Sequence, residues 1–119
     1  MKRTMMPVLL LFISLMLQAG IVQSEPALAQ KNPYEGDPRA LQEGAEIFKK
    51  NCQVCHGAGG RGDICPNLTL KSKKYGDSDA DLYLTISKGR PGGMPNWENS
   101  LGQDRIWKVI TYIRSIEQK

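Results

Sequence analysis

Cys52-Gln53-Val54-Cys55-His56 places two thiols three residues apart, with an imidazole directly after the second. Cysteines at that spacing, just past a helix end, reach two vinyl groups on one edge of a porphyrin. The next residue then lies under the ring, where its imidazole binds iron. This is the C-x-x-C-H signature of covalent haem attachment. Two other uses of the same residues fit less well. A thioredoxin-like dithiol needs a strand-helix scaffold, and no stretch of this chain has a convincing strand pattern. A Cys3His zinc site from Cys52, Cys55, His56 and Cys65 has acceptable donors. However, His56 adjoins Cys55, and tight zinc knuckles rarely use neighbouring residues that way.

The elements around the motif read as helices and loops. Asp37-Pro38 is a helix start, with Asp37 as cap and Pro38 at the first position, where no amide hydrogen is needed. The spacing predicts a helix to about Asn51, with Leu41, Gly44, Ala45 and Phe48 on one face. Gly44 in mid-helix costs ~1 kcal/mol against Ala, which points to close approach of another backbone. Residues 57–76 read as an irregular loop, rich in glycine and containing Pro66. A short helix is predicted from Ser78 or Asp79 to about Ser87, burying Leu82 and Ile86. Residues 89–102 hold Pro91, Gly92, Gly93, Pro95 and Gly102 and are expected to be irregular. A last helix is predicted from near Gln103 to the C-terminus, with Ile106, Val109, Ile110, Ile113 and Ile116 at helical spacing. Trp107 lies off that stripe, and its burial is left open. The fold class is all-α, with three or so helices and long loops for the chain length. Such loops are hard to order around a thin core, and a buried prosthetic group would supplement it.

The second iron ligand follows by elimination. Beyond residue 29 the chain has one histidine, His56, and one methionine, Met94. Ligation by two histidines of one chain is therefore impossible. Met94 sits in a Gly92-Gly93-Met94-Pro95 loop, far enough along the chain to reach the opposite haem face. A lone loop methionine is commonly a gap-filler. Here the C-x-x-C-H motif and the lack of another soft donor on that side make Met94 the candidate ligand, with His56 and Met94 as the metal pair. A thioether favours ferrous iron and raises the reduction potential, and two protein ligands leave no open site for a substrate or dioxygen. That points to outer-sphere electron transfer rather than catalysis.

The start of the chain reads as a leader. Lys2 and Arg3 precede an apolar run from Met5 to Leu17, and Ala27-Leu28-Ala29 has the small residues an export peptidase reads. The expected division is a signal peptide over 1–29 and one domain over 30–119, with Gln30 as the mature N-terminus. The alternative is retention as an anchor, since Met5 to Val22 just approaches a ~20-residue span. No cysteine precedes Cys52, so N-terminal lipidation is excluded. The formal charge of the whole chain is +4, and loss of the leader removes Lys2, Arg3 and Glu25, leaving a mild positive balance. No basic face with interleaved aromatics is visible, which argues against nucleic-acid binding. Periplasmic export without a membrane span implies an oxidising compartment, where the odd third thiol needs explaining. Cys65 is either a redox-sensitive or intermolecular thiol, or, more plainly, a small buried residue beside the proximal loop.

These residues resemble the class I c-type cytochromes over nearly the whole of 30–119. The likeness rests on a helix with Gly44 and Phe48, the C-x-x-C-H motif, Pro66-Asn67-Leu68, the Met94 loop, and a last helix with Tyr112. The resemblance implies a small class I cytochrome c fold wrapped around one covalent haem c. It implies a crossing of the first and last helices that sets Gly44 and Phe48 against Val109 and Tyr112. It also implies a Pro66 carbonyl that accepts a hydrogen bond from His56, and Leu68 packed on the haem face. The cofactor-binding set is then Cys52, Cys55, His56, Pro66, Leu68 and Met94, with no catalytic residue. A narrower resemblance rests on Tyr34-Glu35-Gly36-Asp37, Cys65-Pro66-Asn67-Leu68-Thr69, Tyr75-Gly76 and Ile106-Trp107-Lys108-Val109-Ile110. These are similar to small cytochromes paired with quinoprotein alcohol dehydrogenases, which take electrons singly from pyrroloquinoline quinone and pass them toward a terminal oxidase.

The expected function is that of a monomeric periplasmic one-electron carrier between redox partner proteins: a PQQ-dependent alcohol or methanol dehydrogenase upstream, another cytochrome or a terminal oxidase downstream. The alternatives are a haem-based sensor or enzyme with a displaceable Met94, and a donor to an oxidase with no dehydrogenase partner. Tyr75, Arg90 and Trp97 are further candidates for contact with haem carboxylates.

Overall fold

The computed structural model describes residues 31–119, and the leader reading therefore lies outside the described residues. Four α-helices occur in chain order: α1 (Pro38–Asn51), α2 (Gln53–His56), α3 (Asp79–Lys88) and α4 (Glu98–Ile116), with a 3₁₀ turn at Ala58–Gly60 between α2 and α3. Among the described residues the only β feature is an isolated bridge between Arg90 and Met94. None of these helices is long and apolar enough to cross a membrane.

Local chemistry sets the helix starts. The Asp37 carboxylate accepts from Arg39 N at 2.8 Å and Ala40 N at 3.2 Å, and Pro38 occupies the first turn. At α3, Ser78 and Asp81 form a reciprocal capping box, and Asp79 and Asp81 favour the positive end of the helix dipole. α4 begins one turn earlier than the periodicity predicts. Gly102 is non-helical at φ 73°, so Glu98–Leu101 forms a separate turn before the long apolar stretch. Gly102, expected to end an irregular stretch, is a break within the element.

α1 and α4 cross at Gly44. A Cβ added there would overlap the Lys108 carbonyl group and lie 3.2 Å from Tyr112 Cβ. The Phe48 and Tyr112 rings meet at 5.0 Å with a 49° tilt, and Val109 is fully buried. The expected crossing is present, and it accounts for the mid-helix glycine. On α1 the buried residues are Ala40, Gly44 and Phe48, with Leu41 only half-buried. α3 lays Leu82 and Ile86 on α4, as its pattern predicts.

Trp107 is a core residue, 2 % exposed, and stacks on Tyr83 of α3 at 4.6 Å. α4 therefore buries two faces, one on α1 and one on α3. The segment before α1 packs on α4. Asn32 is buried and donates its amide to Thr111 Oγ1 at 2.9 Å, and Arg114 Nε donates to Asp79 Oδ1 at 2.9 Å. Lys73 and Glu117, both nearly buried, pair at 2.5 Å and hold the C-terminal end to the long loop.

Candidate functional site

The motif lies where α1 ends and the chain turns at once into α2. Cys52 N donates to Phe48 O at 2.8 Å, closing α1, while Cys52 O accepts from His56 N at 2.9 Å, opening the next turn. Gly57 ends α2 at φ 77°, and a Cβ there would lie 2.8 Å from Gly62 O. Glycine is needed to let the loop double back so tightly.

The returning loop is fastened to α2 and to the 3₁₀ turn by three backbone bonds. Gly62 N donates to His56 O at 2.7 Å, Cys65 N to Cys55 O at 3.0 Å, and Leu68 N to Gly60 O at 2.7 Å. This brings Pro66 O to 2.8 Å from His56 Nδ1. A carbonyl only accepts, so Nδ1 carries the proton and Nε2 keeps its lone pair for a metal. The Cys65-Pro66-Asn67-Leu68-Thr69 string has a local logic. Asn67 Oδ1 accepts from Thr69 N at 2.8 Å, forming a side-chain turn that directs Leu68 toward the core cluster.

Met94 lies in the loop between α3 and α4. Its loop leaves α3 at Gly89, closes through Arg90 N donating to Met94 O at 3.1 Å, and is anchored by Trp97 N donating to Ile86 O at 3.2 Å. Gly89 has φ 71°, and a Cβ there would collide with Met94 O and Pro95 at 2.6–2.7 Å. The loop is thus drawn tight around Met94, whose half-buried side chain packs on the core cluster. Cys52 and Leu68 abut the same cluster, while Cys55 and His56 on α2 are bonded to Cys65 and Pro66 on the returning loop.

All three cysteines are free thiols and partly exposed. Burial pushes the Cys52 thiol up to about 11, with Cys55 adding to the effect. Cys65 is also raised, by loss of hydration first and by contact with the Cys55 thiol second. Cys65 lies beside the proximal loop, but it is partly exposed rather than buried.

Among the described residues no group of three or more His, Cys, Asp or Glu side chains is arranged to hold a metal ion by itself. Cys52, Cys55, His56 and Cys65 therefore do not form a Cys3His zinc set. The donors present are those a haem c requires: two unpaired thiols on one turn, an imidazole with Nε2 available, and a thioether in apolar surroundings. Arg90 Nε adds a buried donor with no acceptor. The site fits the group.

Two signals escaped the sequence reading. Val54, 76 % exposed within the motif, and Ile64, 79 % exposed on the loop that follows, are apolar side chains in solvent. Residues at alternating or isolated positions carry no periodicity that would announce them. The stack of the Arg90 guanidinium over Tyr75, 4.5 Å to the ring centroid, joins two of the three further candidates. Trp97 instead packs on the core cluster.

Comparison with known proteins agrees with this geometry. Residues 39–113 match the family model described as cytochrome c oxidase, cbb3-type, subunit III. The FixP subunit of the cbb3-type cytochrome c oxidase from Bradyrhizobium diazoefficiens is 39 % identical over 101 residues, covering 82 % of this chain and 33 % of that protein. The CcoP subunit from Cereibacter sphaeroides is 40 % identical over 90 residues, covering 73 % of this chain and 31 % of that protein. The chain thus spans about a third of the length of the curated relatives it matches. Two solved structures share the fold at a TM-score of 0.69. Cytochrome cL from Hyphomicrobium denitrificans is 33 % identical over 72 % of this chain and 52 % of its own. Cytochrome cL from Methylophaga aminisulfidivorans is 29 % identical over 71 % and 58 %.

Proposed function

The chain belongs to the family of cytochrome c oxidase, cbb3-type, subunit III, and from that premise we propose that it is an exported one-electron carrier with a His/Met-ligated haem c. The family and the structural neighbours bind covalent haem c and are electron-transfer proteins rather than enzymes. Cys52 and Cys55 would form thioether bonds to the haem, and His56 Nε2 and Met94 Sδ would bind its iron. When bound, the haem supplies a ferric/ferrous couple that takes or gives one electron.

The observation that carries this reading is the pairing of the two axial candidates with rigid supports. His56 is oriented by Pro66 O at 2.8 Å, and Met94 is held by its backbone bond to Arg90 and by core packing. Ligands held in this way would keep reorganisation small and would bar exogenous ligands. Leu68 packs on the same core cluster as Met94. Val54 and Ile64 offer a small apolar contact beside the motif, suited to a transient partner.

The partner reading is finer. The likeness to cytochrome cL and the Cys65–Thr69 string support electron acceptance from a quinoprotein alcohol dehydrogenase in the periplasm, with residues 1–29 as the signal peptide and 30–119 as the cytochrome domain. A second reading, delivery to a terminal oxidase without a dehydrogenase partner, is favoured by the sequence likeness to FixP and CcoP. Stopped-flow mixing of the oxidised holoprotein with a substrate-reduced quinoprotein alcohol dehydrogenase separates them. Fast saturable reduction supports the first. Failure there, with rapid oxidation of the reduced protein by a cbb3-type oxidase, supports the second, and failure in both rejects the carrier role.

A further inference from the structure

Arg90 is the one described residue with a buried side-chain nitrogen that finds no partner. Its other contacts fix it firmly. Nη2 donates to Thr85 Oγ1 at 2.8 Å, the guanidinium lies over the Tyr75 ring at 4.5 Å, and the backbone bridges to Met94. None of these carries a negative charge. Among the described residues Arg90 makes no ion pair, although seven such contacts exist elsewhere. Asp81 is near enough to feel its charge, but the Asp81 carboxylate is engaged by Ser78 N at 3.1 Å and Ser78 Oγ at 2.6 Å. Lys74 also sits against Tyr75 and adds a second cation, not an anion.

A guanidinium is always charged, and burying one of its donors without an acceptor costs ~1–3 kcal/mol, more for a charged group. The arrangement makes physical sense if an anion completes it. The haem itself brings two carboxylates into the chain, and Arg90 is tied by its own backbone to the candidate axial ligand. We propose that Arg90 Nε holds a haem carboxylate, so that the residue pinning the Met94 loop also pins the porphyrin edge and sets its charge. This rests on the haem reading above. Arg90 is then a positioning residue: it fixes the haem in its plane relative to Met94, and its cation offsets the carboxylate charge that otherwise stabilises ferric iron.

The test is R90Q and R90K in the full-length holoprotein, read by resonance Raman and by redox titration. Loss of the hydrogen bond moves the propionate-bending band to lower frequency, and loss of the cation lowers the midpoint potential. R90Q is expected to show both shifts, and R90K, which keeps the charge but not the planar donor, to restore the potential more than the band. A band and potential unchanged in R90Q overturn the proposal. If R90Q loses the Met94-bound spectrum, R90K decides: a shifted band supports the assignment and an unshifted one rejects it. A wild-type chain without covalent haem, seen by mass, would instead defeat the reading on which the proposal stands.

Discussion

Gly44→Ala tests whether the α1–α4 crossing is a backbone contact. An alanine methyl at this position would overlap the Lys108 carbonyl and crowd Tyr112 Cβ at 3.2 Å. The obstacle is main chain, so no rotamer change relieves it and α1 must move away from α4. That separates the rings of Phe48 and Tyr112 and loosens packing over Ile106, Val109 and Ile110, all fully buried. Overpacking of this kind costs ~1–3 kcal/mol, and a rigid obstacle places it at the upper end. Alanine recovers ~1 kcal/mol of helix propensity over glycine. The net expectation is a loss of ~2 kcal/mol, or about 10 °C in Tm for a domain of this size. Thermal unfolding of the ferric holoprotein by circular dichroism, with a urea titration beside it, reads the change. A variant as stable as the wild type, or more so, would refute the close-approach argument and leave the glycine without a structural reason.

Three further outcomes are expected. Asn32→Ala removes an amide bonded to Thr111 Oγ1 and Trp107 O, and leaves Tyr34 N without its acceptor; the urea midpoint should fall by the equivalent of ~2 kcal/mol. Asp81 is held below the usual carboxylate range by Ser78, and Asp104 by Tyr34 first and Lys108 second. Groups lowered in the folded state stabilise above the unfolded value of about 4 and lose that contribution as pH falls through their folded values. Urea midpoints should therefore drop on acidification below about pH 4, and D81N with D104N should flatten that slope. Met94→Ala should leave haem attachment intact, give a high-spin ferric spectrum and lower the midpoint potential, since no second histidine exists to replace the thioether; a retained low-spin spectrum would reject Met94 as ligand.

The parts legible in the sequence are those governed by local rules. Asp37-Pro38, Ser78 with Asp81, the Cys52–His56 spacing and the isoleucine stripe of α4 each encode their own element. Gly44 announced a close approach because a mid-helix glycine has no other local use. The misplaced features depend on who the neighbour is. Trp107 lies off the stripe that faces α1, and its burial against Tyr83 follows only once α3 docks on α4. Asn32 belongs to no pattern in the sequence, and its burial follows only once Thr111 meets it. The Glu98 turn was hidden because Pro91 to Gly102 reads as one irregular stretch, whereas Gly102 is a kink between two helical pieces. Cys65 is more open than its apolar character suggested, since the loop bonds its backbone to Cys55 without covering its side chain.

The central claim is that His56 and Met94 close both faces of one covalent haem. It is tested most directly by the visible spectrum of the holoprotein, oxidised and reduced, with carbon monoxide added to the reduced sample. The account predicts sharp low-spin bands that carbon monoxide leaves unchanged. A high-spin spectrum that shifts on adding carbon monoxide would contradict it, removing Met94 from the iron and pointing to a sensor or an enzyme.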